Sequence, residues 1–248
     1  DFGAGSPNKL AKWKQATDNK ILADVKISNN SKIIEIIEES KINDEVTIST
    51  IFDLPSVEGQ IVIDYAINAI GEITVINQLK NISKKLPHLP RFGNNFIIKN
   101  DYQRVNWFGR GPHENYNDRN TSALVGLYQA PVADLYFPYI RPQENGYKTD
   151  IRWVTFTNEA GKGLKVAGTQ LLSFSAHHQY NRDFDAGNTK KQRHTTDIIK
   201  RDFVNINIDY GQTGVGGDDS WSPRAWAHEK YRIQPENLKY TYTISPIK

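Results

Sequence analysis

Apolar residues recur at every second position along most of this chain, and that period leaves room for little except a β-sheet protein. Val46, Ile48 and Thr50 alternate with charged or polar neighbours. Ile61, Ile63, Tyr65 and Ile67 do the same, and Ile73, Val75 and Leu79 resume the pattern after Asn68-Ala69-Ile70-Gly71. Successive side chains on a strand point to opposite faces, so a period of two lets one face of a sheet be buried. The two runs flanking residues 68–71 therefore read as a hairpin. Val105 and Trp107, Val154 and Phe156, then Val204, Ile206, Ile208 and Tyr210 continue the alternation, and Tyr240, Tyr242 and Ile244 close the chain as a last strand. Only one segment has helical spacing. Ser6 suits an N-cap, Pro7 suits the first helical position, and Leu10, Trp13 and Lys14 fall three to four residues apart before Thr17-Asp18-Asn19 ends the run. This predicts a single helix over 7–16.

A chain of 248 residues with 38% hydrophobic and 24% charged residues can bury a sizeable core, and all-β sandwiches reach this length as one unit. We therefore expect one domain over 1–248. A net charge of +3, with no block of five or more Lys/Arg, gives no electrostatic footprint for nucleic acid or a membrane surface. No apolar run approaches the roughly 20 residues that span a bilayer, and no signal peptide is visible. The absence of cysteine removes disulfides and thiolate metal sites while leaving a cytoplasmic and a periplasmic location for a soluble protein equally open.

Function should lie in the connections. Four of them, roughly 109–122, 138–149, 180–196 and 211–226, are long and rich in Gly, Pro, Asn and Asp, whereas ordinary connections have a median of about 4–6 residues. The last contains Thr213-Gly214-Val215-Gly216-Gly217-Asp218-Asp219-Ser220-Trp221-Ser222-Pro223. Three glycines in four positions permit positive φ and close approach of the main chain. Asp218, Asp219 and Ser220 can hold the bend, and Pro223 limits where it goes. Trp221 on such a loop has two readings: a stacking platform for the apolar face of a sugar, or a cap over the core. Trp107 and Trp153 sit within alternating strands and read as core or interface residues, and Trp226 as a wedge against the loop or part of the core.

Retaining glycosidases need two carboxyl groups about 5–5.5 Å apart. Glu114, Glu144, Asp218 and Asp219 could be cast so, but carboxylates in Gly/Asn/Pro loops usually accept backbone N–H bonds that brace the turn. Arg104, Arg119, Arg141 and Arg152 are candidates to pair with them. His177-His178 is a poor chelate, since strand neighbours face opposite ways, and the remaining histidines lack ligand spacing. No metal is expected. The glycines lack the Lys-Ser/Thr that follows them in a phosphate loop.

The Gly-rich loop, Tyr102-Gln103-Arg104-Val105-Asn106-Trp107-Phe108-Gly109-Arg110-Gly111-Pro112-His113-Glu114-Asn115-Tyr116 with Asp118-Arg119, and Pro138-Tyr139-Ile140-Arg141-Pro142-Gln143-Glu144-Asn145-Gly146 together resemble the C-terminal, small-chain domain of family-2 β-galactosidases. Pro90-Arg91-Phe92-Gly93 and Asp1-Phe2-Gly3 fit the same order. The resemblance implies a large antiparallel β-supersandwich similar to galactose mutarotase, truncated slightly at its N-terminal edge. It implies that this domain carries no catalytic residue and no cofactor. The acid and nucleophile, with any magnesium or sodium, would belong to an upstream barrel. Trp221 would reach that barrel and stack on a β-galactoside, with Gly214, Gly216 and Gly217 bending the loop and Asp218, Asp219 and Ser220 holding it. Partners implied are the sugar, the sibling domains of the polypeptide and a homo-oligomer of the full enzyme. A free-standing carbohydrate-binding module and a mutarotase-like enzyme, the latter casting His194 or His178 with Glu229, stay open as alternatives.

Overall fold

The computed structural model describes residues 6–29, 32–33, 45–185 and 193–248, so Asp1-Phe2-Gly3 lies outside the described residues. The period of two yields twelve strands among them: β1 Ile21–Asn29, β2 Lys32–Ile33, β3 Glu45–Leu54, β4 Gly59–Asn68, β5 Ile73–Lys80, β6 Arg91–Lys99, β7 Arg104–Gly111, β8 Leu124–Pro131, β9 Lys148–Thr157, β10 Gly163–His177, β11 Phe203–Gln212 and β12 Leu238–Ile247. Every pairing is antiparallel, in the order β2-β1-β3-β4-β5-β12-β10-β9-β7-β8, with β11 joining β10 to β6.

The expected hairpin is β4–β5, with Ile61 opposite Leu79, Tyr65 opposite Val75 and Ile67 opposite Ile73. Its turn closes through a 3.0 Å bond from Gly71 N to Asn68 O, with Gly71 at φ +83°. The helix begins at Ser6 rather than Pro7 and is split by Leu10 into α1 Ser6–Lys9 and α2 Ala11–Asp18. Trp13 explains why α2 stays in place: it is buried, and its indole N–H donates to Pro87 O at 2.9 Å.

β10 makes the sheet fold over itself. Its first half, from Gly163 to Gly168, pairs with β9 and β12, and its last five residues, Ser173 to His177, pair with β11. The register with β9 shifts between Ala167 and Leu172. An irregularity of this kind bends a strand, so one strand can serve both layers. The layers meet across the core: Phe92 on β6 packs edge-on against Tyr240 on β12 at 5.3 Å, and the Tyr240 hydroxyl donates to Asn94 Oδ1 at 2.9 Å. Trp107, Phe156 and Phe174 fill the neighbouring region of that core, each at most 1% exposed. This is a supersandwich.

β11 departs from a simple half-buried strand. Val204, Ile206 and Ile208 face the core as expected, but Asn205, Asn207 and Asp209 on the opposite face are buried as well. Buried amides need partners. Asn95 Nδ2 bridges the side-chain oxygens of Asn205 and Asn207 at 2.8 and 3.0 Å, and Asn207 donates to Ser175 Oγ at 2.9 Å. The covering segment is tied down where Arg201 N donates to His178 O at 2.8 Å and the Arg201 guanidinium pairs with Asp183.

Candidate functional site

Three of the four long connections converge on one cleft of about 430 Å³. Glu114, Tyr116, Asp118 and Arg119 come from the connection after β7, Tyr139, Gln143 and Glu144 from the one before β9, and Val215 to Asp218 with His228 and Tyr231 from the chain after β11. Glu114 is the knot between the first two. Its Oε1 accepts from Arg119 Nη2 at 2.9 Å and from the Tyr139 hydroxyl, while Oε2 accepts from Gly146 N at 2.8 Å and Tyr116 O–H at 3.4 Å. A carboxylate offers about four acceptor positions, and here each has a donor. Glu114 braces. Gly146 must be glycine: at φ +67°, a Cβ would also fall 2.4 Å from Leu135 O.

Glu144 is likewise engaged, 3.4 Å from Arg91, which also pairs at 2.7 Å with the buried Asp209, off the line of its Nε–H bond. Burial pushes the Asp209 carboxyl up to about 6, against the pull of the Arg91 guanidinium. Tyr147 stacks on Tyr116 at 5.7 Å and joins this pair to the cleft floor.

The Gly-rich loop is fixed at both ends. Thr213 N donates to Pro90 O at 2.9 Å, and its hydroxyl donates to Leu89 O at 2.5 Å while accepting from Ile233 N at 3.0 Å. Gly216 N donates to Asp118 Oδ2 at 2.8 Å. Asp218 N donates to Arg224 O at 2.7 Å, and the Asp218 carboxylate lies 2.8 Å from His228 Nε2. Asp219 accepts from Ser222 Oγ, Ser222 N and Trp221 N at 2.5, 2.9 and 3.1 Å. The Ser222 hydroxyl, and then its amide, hold the Asp219 carboxyl below the ordinary carboxylate range. The hydroxyl that braces the loop is thus that of Ser222, while Ser220 is exposed.

Of the two uses the sequence allowed the three loop glycines, positive φ is not the one taken. Among the described glycines it occurs at Gly71, Gly146 and Gly161, and elsewhere at Glu58, Asn81 and Asp150. Gly214 and Gly217 serve close approach: a Cβ on Gly217 would lie 2.1 Å from Arg224 O, and one on Gly214 would lie 2.5 Å from the Asp118 carboxylate. Gly216 has room, with its nearest neighbour at 3.6 Å. Asp118, read only as part of a motif, is the residue that ties the first connection to this loop.

Trp221 is 76% exposed, so it does not cap the core. Trp226 is half-buried between Lys9 and Arg232, 5.0 and 5.6 Å from its ring, with His88 edge-on at 4.7 Å. Trp107 is core, and Trp153 is half-buried under Lys165. Of the arginines expected to brace loop carboxylates, Arg119 does so. Arg104 instead meets Glu159 at 3.7 Å, and Arg152 donates to Asp150 O at 2.7 Å. Arg91 and Arg110 were the ones missed, the latter pairing with Asp150 at 2.5 Å.

His177 and His178 are both buried. His178 Nδ1 lies 2.7 Å from Phe203 O, while His177 packs against Phe184 with neither ring nitrogen hydrogen-bonded. Burial, reinforced by Lys148 and Arg91, pushes the His177 imidazole down to about 3. Among the described residues no group of three or more His, Asp or Glu could hold a metal ion, and no helix is long and apolar enough to cross a membrane.

A second cleft, of about 460 Å³, lies behind the Glu114–Arg119–Tyr139 wall and is lined also by His113, Ser122, Asp134, Tyr136, Phe137 and Lys148.

Comparison with known proteins adds the lineage. Residues 1–244 match the family described as "Beta galactosidase small chain". The chain is 34% identical over 187 residues to a beta-galactosidase of Priestia megaterium, covering 75% of this chain and 17% of that protein. It is 27% identical to a beta-galactosidase of Streptococcus thermophilus, covering all of this chain and 22% of that protein. The chain thus spans about a fifth of these relatives' length. Among solved structures, the alpha-galactosidase from Lactobacillus brevis aligns over 92% of this chain and 27% of its own, with a TM-score of 0.47 and 8% identity. The strand pairing above, rather than that distant likeness, defines the fold.

Proposed function

The chain belongs to the beta galactosidase small chain family, and on that premise we propose that it is the C-terminal domain of a retaining β-galactosidase acting on terminal β-D-galactosyl bonds in lactose-like sugars. In this reading the acid and nucleophile lie in the rest of the polypeptide, together with any magnesium or sodium. This chain contributes Trp221, stacked on the sugar at the leaving-group or acceptor position, and contacts to its sibling domains.

One observation carries the proposal: a tryptophan that is 76% exposed stands on a loop whose backbone is braced from several sides. An exposed indole costs hydration free energy that burial would recover, and rigid presentation lowers the entropy lost when a ligand face meets it. Asp219 and Ser222 hold its peptide, Asp118 and Thr213 hold the stem, and Gly217 lets two backbone segments touch. The carboxylates nearby support the assignment of catalysis elsewhere, because Glu114, Glu144, Asp218 and Asp219 each have a hydrogen-bond or ion-pair partner that fits a bracing role.

Stacking on an aromatic side chain is worth about 1–3 kcal/mol by comparison with bases, and 1.4 kcal/mol is tenfold in affinity. In the intact polypeptide, Trp221→Ala should weaken galactoside and acceptor binding by about tenfold to a hundredfold. The 248-residue chain alone should show no turnover of a chromogenic β-galactoside, and lactose binding too weak for calorimetry. Micromolar lactose affinity of the chain alone would replace this proposal with a free-standing carbohydrate-binding module. An intact Trp221→Ala enzyme with unchanged KM and unchanged acceptor use would remove the role given to the indole.

A further inference from the structure

Lys148 opens β9 and is 2% exposed, yet among the described residues no carboxylate lies within ion-pair distance of it. Its ammonium carries three donors. One reaches Gly146 O at 3.1 Å, and the charge also lies 5.6 Å from the Trp107 ring. The carboxylate whose field reaches it is Glu114, and that group is already committed to Arg119, Tyr139, Tyr116 and Gly146. Burial pushes the ammonium down to about 8, against the pull of Glu114, so the group stays largely protonated at neutral pH. A buried charge without a counter-ion is costly, and proteins supply one or neutralise the group.

Lys148 lines the second cleft, and the same cleft carries further donors. His113 Nε2 lies 3.3 Å from Ser122 Oγ, both side chains are exposed at the mouth, and Tyr136, Phe137 and Tyr139 form an aromatic wall. Arg119 gives its Nη2 to Glu114, and Asp134 on the rim disfavours a multiply charged ligand. We propose that this cleft is a carboxylate site, in which Lys148 supplies the counter-charge while His113 and Ser122 supply hydrogen bonds. The carboxylate comes either from a small free acid or from an acidic side chain of the remaining four-fifths of the polypeptide.

The test is thermal unfolding in sodium acetate or sodium galacturonate exchanged for sodium chloride at constant ionic strength. With the 248-residue chain, saturable stabilisation is expected, a rise in Tm of about 3–5 °C at tenfold excess over Kd. Lys148→Met should abolish it. Should Lys148→Met fail to fold, Ser122→Ala and His113→Gln, both at the exposed rim, should each shift the half-saturating acetate concentration several-fold. The same titration on the intact polypeptide separates the sources: a matching response means a free acid, and a response of the chain alone means that the polypeptide fills the cleft with its own carboxylate. No saturable acetate or galacturonate response in the chain, or one that survives both rim variants, overturns the proposal. So does stabilisation by sulfate without any by acetate.

Discussion

Gly217→Ala is the sharpest probe of how the tryptophan loop is built. The new methyl would sit 2.1 Å from Arg224 O and 2.5 and 2.7 Å from the carbonyl carbon and oxygen of Ala225. Backbone meets backbone there, so no side chain can swing aside. Relief requires residue 217 to part from 224–225, which breaks the 2.7 Å bond from Asp218 N to Arg224 O. That bond is worth about 1 kcal/mol, and the residual crowding adds about 1–3 kcal/mol. Because the loop is exposed, the penalty is met by local opening rather than global unfolding. A local cost of about 2–4 kcal/mol corresponds to amide exchange at Asp218 about thirtyfold to nearly a thousandfold faster, with Tm hardly changed. Gly216→Ala is the control. Its methyl meets Asp118 Oδ2 at an ordinary 3.6 Å, so exchange should stay within about twofold of wild type. Gly214→Ala falls between them, because the Asp118 carboxylate 2.5 Å away can rotate, at the loss of its 2.8 Å bond to Gly216 N. Hydrogen exchange resolved at Gly216, Asp218 and Trp221 reads all three. Equal disruption by Gly216→Ala and Gly217→Ala would refute the close-approach account and return the glycines to a conformational role.

Two further outcomes concern stability. His177 is held neutral to about 3 when folded, whereas an unfolded histidine takes its proton near 6.5. The unfolded state therefore binds more protons between these values, and stability falls as pH drops through that window, by at most about 1.4 kcal/mol per unit. Asp209 acts oppositely below about 6, because its folded carboxyl keeps a proton that the unfolded one releases. His177→Phe should remove only the first effect, so urea midpoints at about pH 4.5 and 7 should show the variant gaining up to about 3 kcal/mol on wild type at the acid end. A gain that is the same at both pH values would sink the assignment. Phe156→Ala, at a fully buried position against Phe174, should cost about 3–5 kcal/mol in urea unfolding, and a loss under 1 kcal/mol would place the core elsewhere.

The β4–β5 hairpin was legible because its information is local: alternating Ile, Val and Tyr on either side of a turn that ends in Gly71. The bracing role of Glu114 was legible in kind, since carboxylates among Gly, Pro and Asn usually answer backbone donors. Its particular donors were not, because Gly146 and Tyr139 lie 32 and 25 residues away. The three loop glycines show the limit most clearly. Glycine serves positive φ or close approach, and nothing local separates the two uses; at Gly214 and Gly217 the deciding atoms belong to Asp118 and Arg224. Asn205 and Asn207 lie on the face of β11 opposite Val204 and Ile206, and the distant residues Gln179 and Asn181 supply partners to them there.

Period, turn chemistry and loop length thus determined by themselves that this chain forms antiparallel sheets with long connections, since backbone sterics and side-chain alternation act between near neighbours. The family resemblance came from the same letters. Only the tertiary structure decided that three connections share one cleft, that Asp118 and Ser222 rather than Ser220 steady the tryptophan loop, and that Lys148 is buried without an available carboxylate. Each of these depends on which distant residues the crossing of β10 between layers brings within a hydrogen bond's length, and a hydrogen bond carries no trace of its partner in the sequence beside it.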